Sequence, residues 1–163
     1  MADESLADLV GVDAADPRLR SALAALGFPR DLVPVIEREQ DAPDSSGEGG
    51  GSSTIEAPDR AVRFTFMRAD DGSWYLYEIM YRRGRPERPE HPVLPLGLAF
   101  GEPGPEVVAR LGEPTLRALL GSHRWERDDL TLVIDYDNDD AVKRVHCAMS
   151  TQALADRVQG GTR

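Results

Sequence analysis

Cysteine is nearly absent: Cys147 stands alone in 163 residues, which excludes an internal disulfide and suits a reducing compartment. It sits in an apolar, strand-like run, where a buried, inert thiol is the expected state. No apolar run approaches the roughly 20 residues that span a bilayer. Met1-Ala2-Asp3-Glu4-Ser5 carries acid where a secretory signal carries base. We therefore expect a cytoplasmic chain with no insertion into a membrane. Basic residues are also in deficit, 19 against 29 acids, for a net charge of −10 and a pI near 4.7. That field repels phosphate backbones and anionic lipid, so nucleic acid and membrane surfaces are not expected partners, whereas a basic protein is. Lys143 is the only lysine beside many arginines, a bias associated with GC-rich bacterial genomes.

The motifs of chemistry are short of parts as well. His91, His123 and His146 fall in a Pro-rich connector, a loop and a strand, without helical spacing or cysteine pairs, so no zinc site is expected. Asp135-Tyr136-Asp137-Asn138-Asp139-Asp140 imitates the opening of a calcium loop. The sixth position has Asp140 where glycine is required, and the twelfth has His146 where glutamate is required. The run from Gly47 to Ser53 lacks the lysine of a phosphate-binding loop. Ser122, His123 and Asp128 can be drawn as a triad, but no strained nucleophile turn frames the serine. The expectation is no catalytic residue, no metal and no cofactor, hence not an enzyme.

With 40% hydrophobic and 29% charged residues the chain has the composition of a folded domain. Asp16 can cap a helix with Pro17 at its first position, carrying Leu19, Ala22, Leu23 and Leu26, and closed by Gly27 and Pro29. A shorter turn capped by Ser5 precedes it. Residues 32–39, interrupted by Pro34, read as an irregular or edge strand. Residues 41–60 are dominated by Gly, Ser, Asp and Pro and read as a flexible loop insertion. Val62, Phe64 and Phe66 alternate with polar neighbours, and Asp70-Asp71-Gly72 turns the chain into a second strand from Ser73 to Arg82. Residues 85–95 form a Pro-rich connector. Beyond it, Glu106 to Leu111 predict a short helix ended by Gly112 and Pro114, and 116–120 one more turn. Trp125 opens an extended segment, Leu130 to Tyr136 alternate, and Val142, Val145 and Cys147 continue after an acidic turn. Thr151 can cap a terminal helix in a dispensable tail, 151–163.

The organisation is thus α+β in two pseudo-repeats, 1–84 and 96–150, each with short helices on one face of an antiparallel sheet. Leu26-Gly27-Phe28-Pro29 matches Leu111-Gly112-Glu113-Pro114, and an antiparallel hairpin with an acidic turn follows each. Burying each Leu or Phe under those helices contributes roughly 1.5–3 kcal/mol. From Leu111-Gly112-x-Pro114 through Trp125, Leu130-x-Leu132-x-Ile134-x-Tyr136-Asp137, Val142 and Val145, the second unit resembles the repeat of SmpA/BamE-type lipoproteins and of the β-lactamase inhibitor protein. The likeness covers about residues 96–149, and the first unit more loosely. It implies a protein-binding module without catalysis, gripping its partner through the open face of the sheet. No lipoprotein signal is present, so an outer-membrane assembly role is not implied. Small acidic proteins of this build are also similar to immunity proteins that neutralise bacterial toxins.

Strict alternation predicts Tyr75, Tyr77, Ile79 and Tyr81 facing the helices, and Trp74, Leu76, Glu78 and Met80 facing outward as a docking patch. Asp135, Asp137, Asp139 and Asp140 would add acid for a basic partner. The expected function is a non-enzymatic immunity protein that binds and inhibits a basic toxin. The alternatives are a housekeeping adaptor or assembly factor of the same fold, or an enzyme whose site the motifs do not show.

Overall fold

The structure is a computed structural model that describes residues 5–40, 51–58, 60–83, 93–118 and 121–160. Local chemistry explains its helices. In α1 (Pro17–Ala25) the Asp16 carboxylate accepts from the Arg18 amide and Pro17 fills the first turn; Gly27 follows the helix with φ +94°. Ser5 and Asp8 form a reciprocal capping box on a 3-10 turn, Leu6–Leu9. α3 (Gly104–Leu111) ends at Gly112 with φ +86°.

Two expectations of element type are corrected. Residues 32–39 are not a strand: Val33–Arg38 is a helix, α2, because Pro34 lies in its first turn, where a missing N–H breaks no helical bond. Residues 116–118 are not helical but the short edge strand β4 (Leu116–Ala118). Within the expected 41–60 loop, Ser52–Glu56 forms β1, with Ser53 and Ile55 buried. A buried serine is tolerated there because its hydroxyl donates to the Ile36 carbonyl, 2.7 Å away. Residues 41–50 of that loop, and 85–92 of the connector with His91, lie outside the described residues.

The other strands are β2 (Val62–Arg68), β3 (Trp74–Arg82), β5 (Ser122–Glu126), β6 (Leu130–Tyr136) and β7 (Val142–Met149). They form one seven-stranded antiparallel sheet in the order β1-β2-β3-β7-β6-β5-β4. The two meanders, β1–β3 and β4–β7, meet where β3 pairs with β7, from Glu78 opposite Ala148 to Arg82 opposite Arg144. The start of β3 extends beyond β7. There the chain from Gly11 to Ala14 takes the place of a strand: the Gly11 and Ala14 amides donate to the carbonyls of Leu76 and Trp74, and the Leu76 amide donates to Val12.

A bulge decides which side chains enter the core. Thr65 lies opposite Glu78 but Phe66 opposite Leu76, so Tyr77 is an extra residue on β3. The strand therefore changes phase, and Trp74, Leu76, Ile79 and Tyr81 all share the face of Val62, Phe64 and Phe66. This corrects the expected outward patch: Trp74 is 2% exposed and Leu76 0%, both in the hydrophobic core. α1–α3 and their flanks cover this face. Phe28 meets Phe64 edge-on at 5.8 Å, Ile36 and Val107 are fully buried, and Trp125 donates its indole N–H to the Gly112 carbonyl.

The C-terminal helix α4 (Thr151–Gly160) lies against the opposite face. Its cap is Ser150, not Thr151: the Ser150 hydroxyl accepts from the Ala153 amide and donates to the Asp128 carbonyl. The Thr151 amide reaches Glu126 at one end. At the other, the Arg157 guanidinium lies 3.9 Å from the centre of the Tyr75 ring and donates to the Gly11 carbonyl. Helix α4 is thus anchored near both of its ends.

Candidate functional site

Away from α4, the second face of the sheet carries polar side chains on every strand from β1 to β5. Register places Glu56, Arg63, Glu78, Arg82, Arg144, His146, Asp135, Arg124 and Glu126 on it, with Met80 and Val133 between them. These charges are paired, across neighbouring strands or along one. Glu56 accepts from Arg63 (2.6 Å) and Arg82 (3.1 Å), and Arg124 meets Glu126 at 2.8 Å. The hydrogen bond from Arg63 holds the Glu56 carboxyl below its ordinary range against the opposing effect of burial. Four guanidinium groups thus face four carboxylates, so the face is close to neutral in a chain of net charge −10. The four arginine side chains keep 33–44% of their surface. Arg63 and Arg124 each commit Nε and one terminal nitrogen to their carboxylates.

At the centre, His146 stands on β7, where the two meanders meet. Its Nδ1 is 3.5 Å from Glu78 of β3 and its Nε2 3.3 Å from Asp135 of β6, which also accepts from Arg144 at 3.1 Å. The hydrogen bond to Glu78 raises the His146 pKa most; burial opposes it, and the charges of Glu78 and Asp135 add to the rise.

Of the eight residues expected to bind a partner, the structure gathers Glu78, Met80 and Asp135 on this face. Met80 is only 5% exposed, flanked across the strands by Arg63 and His146. Asp137, Asp139 and Asp140 are exposed in the β6–β7 turn, at the end of the sheet. Asp137 is occupied structurally, accepting from the amides of Asp139 (2.9 Å) and Ala141 (3.1 Å). Asp140 adopts φ +59° and its carbonyl accepts from Gly104 at the start of α3. Among the described residues, the Asp139 carboxylate makes no hydrogen bond or ion pair. Trp74 and Leu76 belong to the core, as shown above. His146 and the arginines were missed, although alternation along β7 already sets Arg144, His146 and Ala148 opposite Val145, Cys147 and Met149.

The triad drawn from the sequence does not converge, since Ser122 and His123 are neighbours on β5 and point to opposite faces. His123 instead meets the Tyr136 hydroxyl at 3.2 Å and the Trp125 ring edge-on. Desolvation, helped by Arg117, lowers its pKa, and burial raises that of Tyr136 to about 12.

No protein-family model, curated protein or solved structure matches the chain. No helix among the described residues is long and apolar enough to cross a membrane.

Proposed function

We propose that this chain is a non-enzymatic protein-binding module, a cytoplasmic immunity protein that binds and inhibits a bacterial toxin. The observation that carries the reading is the second face of the sheet: α1–α3 cover the other side, α4 covers one end, and the centre presents half-exposed arginines beside more deeply set carboxylates. Lateral pairing spares those groups much of the cost of desolvation when a partner covers them. The acidic turn with Asp139 supplies long-range attraction for a basic toxin.

Tandem duplication of one α+β unit is part of this reading. It is supported by α1 and α3, each ending in Leu-Gly-x-Pro with the glycine at positive φ, and by the antiparallel pairing of the two last strands, β3 and β7.

The test is capture of the product of the adjacent gene by the tagged chain, with host viability as readout. Arg82→Glu and Asp139→Lys, checked for folding by circular dichroism, should each weaken capture and rescue at least tenfold. A toxic neighbour captured equally by both variants refutes the proposed surface. Capture of a resident, non-toxic protein instead favours an adaptor.

A further inference from the structure

We propose that His146 is a proton-operated clasp on the open face: its doubly protonated ring ties Glu78 to Asp135 across β7, and loss of one proton frees Glu78 for a cationic side chain of the partner. Both ring nitrogens face carboxylate oxygens, at 3.5 and 3.3 Å. Ionised carboxylates only accept, and a neutral imidazole has a single N–H. Only the imidazolium can therefore donate to both at once. A neutral ring would turn a lone pair toward one of them.

Glu78 is the partner that is released. Asp135 has a second cation, Arg144, at 3.1 Å, whereas the ring is the only cation paired with Glu78 among the described residues, so loss of the imidazolium charge leaves Glu78 as the carboxylate without a counter-charge. Across β2 from Glu78 stands Thr65, which has no charge. The remaining charged groups of the face near the ring are Arg82, opposite Arg144, and Arg63, opposite Met80; both are engaged with Glu56. On β6 the residue directly opposite His146 is the uncharged Val133, with Arg124 beyond it on β5, paired to Glu126. The ring and both carboxylates are largely covered, with 22%, 30% and 24% of their side-chain surfaces exposed. Solvent screening at the clasp is thereby reduced. The clasp spans the junction of the two meanders, so its state is set where a partner would sit.

The clasp stands on its own geometry; only its effect on a partner rests on the docking reading. Histidine NMR titration of the whole chain tests the first part. The His146 midpoint should lie above the ordinary value of about 6.5 and fall in Glu78→Gln and, separately, in Asp135→Asn. A wild-type midpoint at or below that value, or one unmoved by both substitutions, overturns the clasp and leaves the docking face intact. A hexa-arginine peptide tests the second part. It should bind at least fivefold tighter at pH 8 than at pH 5.5. His146→Gln should remove most of that ratio, and Glu78→Gln should weaken binding at pH 8. Absence of binding at pH 8, or a pH ratio unchanged in His146→Gln, overturns the proposed exchange. Failure of the docking face itself would show in the capture variants above, without moving the His146 midpoint.

Discussion

Replacing Trp74 with alanine should unfold the chain more readily and not merely weaken a surface. Its ring is 2% exposed, on the face of Phe66 and Leu76, with the Arg68 guanidinium 5.8 Å from its centre. A buried Trp→Ala exchange costs about 3–5 kcal/mol in lost transfer energy and cavity. The indole Nε1–H, however, meets no acceptor among the described residues. Removing an orphaned buried donor returns about 1 kcal/mol, which leaves a net cost of about 2–4 kcal/mol. At about 2–4 °C per kcal/mol for a domain of this size, the melting midpoint should fall by roughly 4–16 °C. Trp74→Phe keeps most of the apolar area and deletes the orphaned donor, so it should lie within about 1 kcal/mol of the parent. Thermal and urea melts followed by circular dichroism, with Trp125 as the remaining fluorophore, measure both variants. An alanine variant within about 0.5 kcal/mol of the parent would place Trp74 outside the core and refute the bulge at Tyr77. A phenylalanine variant as unstable as the alanine one would show that the indole N–H is satisfied.

Cys147 is fully buried, and burial, with a smaller contribution from the Glu78 charge, pushes its thiol up to about 12. A disulfide reagent at pH 8 should leave the native chain unlabelled for many minutes and label it at once in urea; rapid native labelling would contradict the packing. Arg157→Ala removes the contact with Tyr75 and the bond to the Gly11 carbonyl, and should cost about 1–2 kcal/mol in a urea melt. An unchanged midpoint would mean that α4 is not anchored at that end. Glu56→Gln should cost up to about 1 kcal/mol at pH 7, since the side chain is 32% exposed and its ion pairs are partly screened. Because the folded-state carboxyl is held below its ordinary value of 4.5, this contribution is present above that pH and disappears as pH falls below it. Parent and variant should converge in acid, and a gap that widens there would reverse the sign of the pairing.

Elements that carry their own punctuation were legible in the sequence. Asp16 and Pro17 open α1, and Gly112 closes α3. The alternation of Leu130 to Tyr136 places β6 correctly because two of its three intervening residues, Thr131 and Asp135, are polar. Trp74 to Arg82 offers no such contrast: apolar residues occupy both phases, so periodicity cannot show where a bulge shifts the strand. Pro34 among Val33, Val35 and Ile36 reads as the mark of an irregular or edge strand, whereas its position in the first turn makes it a helix opener. Serine density hid β1, whose only large apolar anchor is Ile55 and whose buried Ser53 depends on a carbonyl 17 residues away.

The candidate site was harder to see for a different reason. His146 and Glu78 are 68 positions apart and meet only because β3 pairs with β7. A histidine with no ligand-like spacing gives no local sign that two carboxylates will face it. Net charge pointed toward an acidic contact surface, yet the face is close to neutral, and its carboxylates are already engaged by arginines and a histidine. Under the proposed docking role, attraction and recognition are divided between different parts of the molecule. The acidic turn and the chain's overall field can draw a basic partner from a distance, where salt screens them, whereas the paired face can discriminate only at contact, where screening is weak. On this division, raising salt should slow association more than it speeds release, and a substitution on the face should do the opposite.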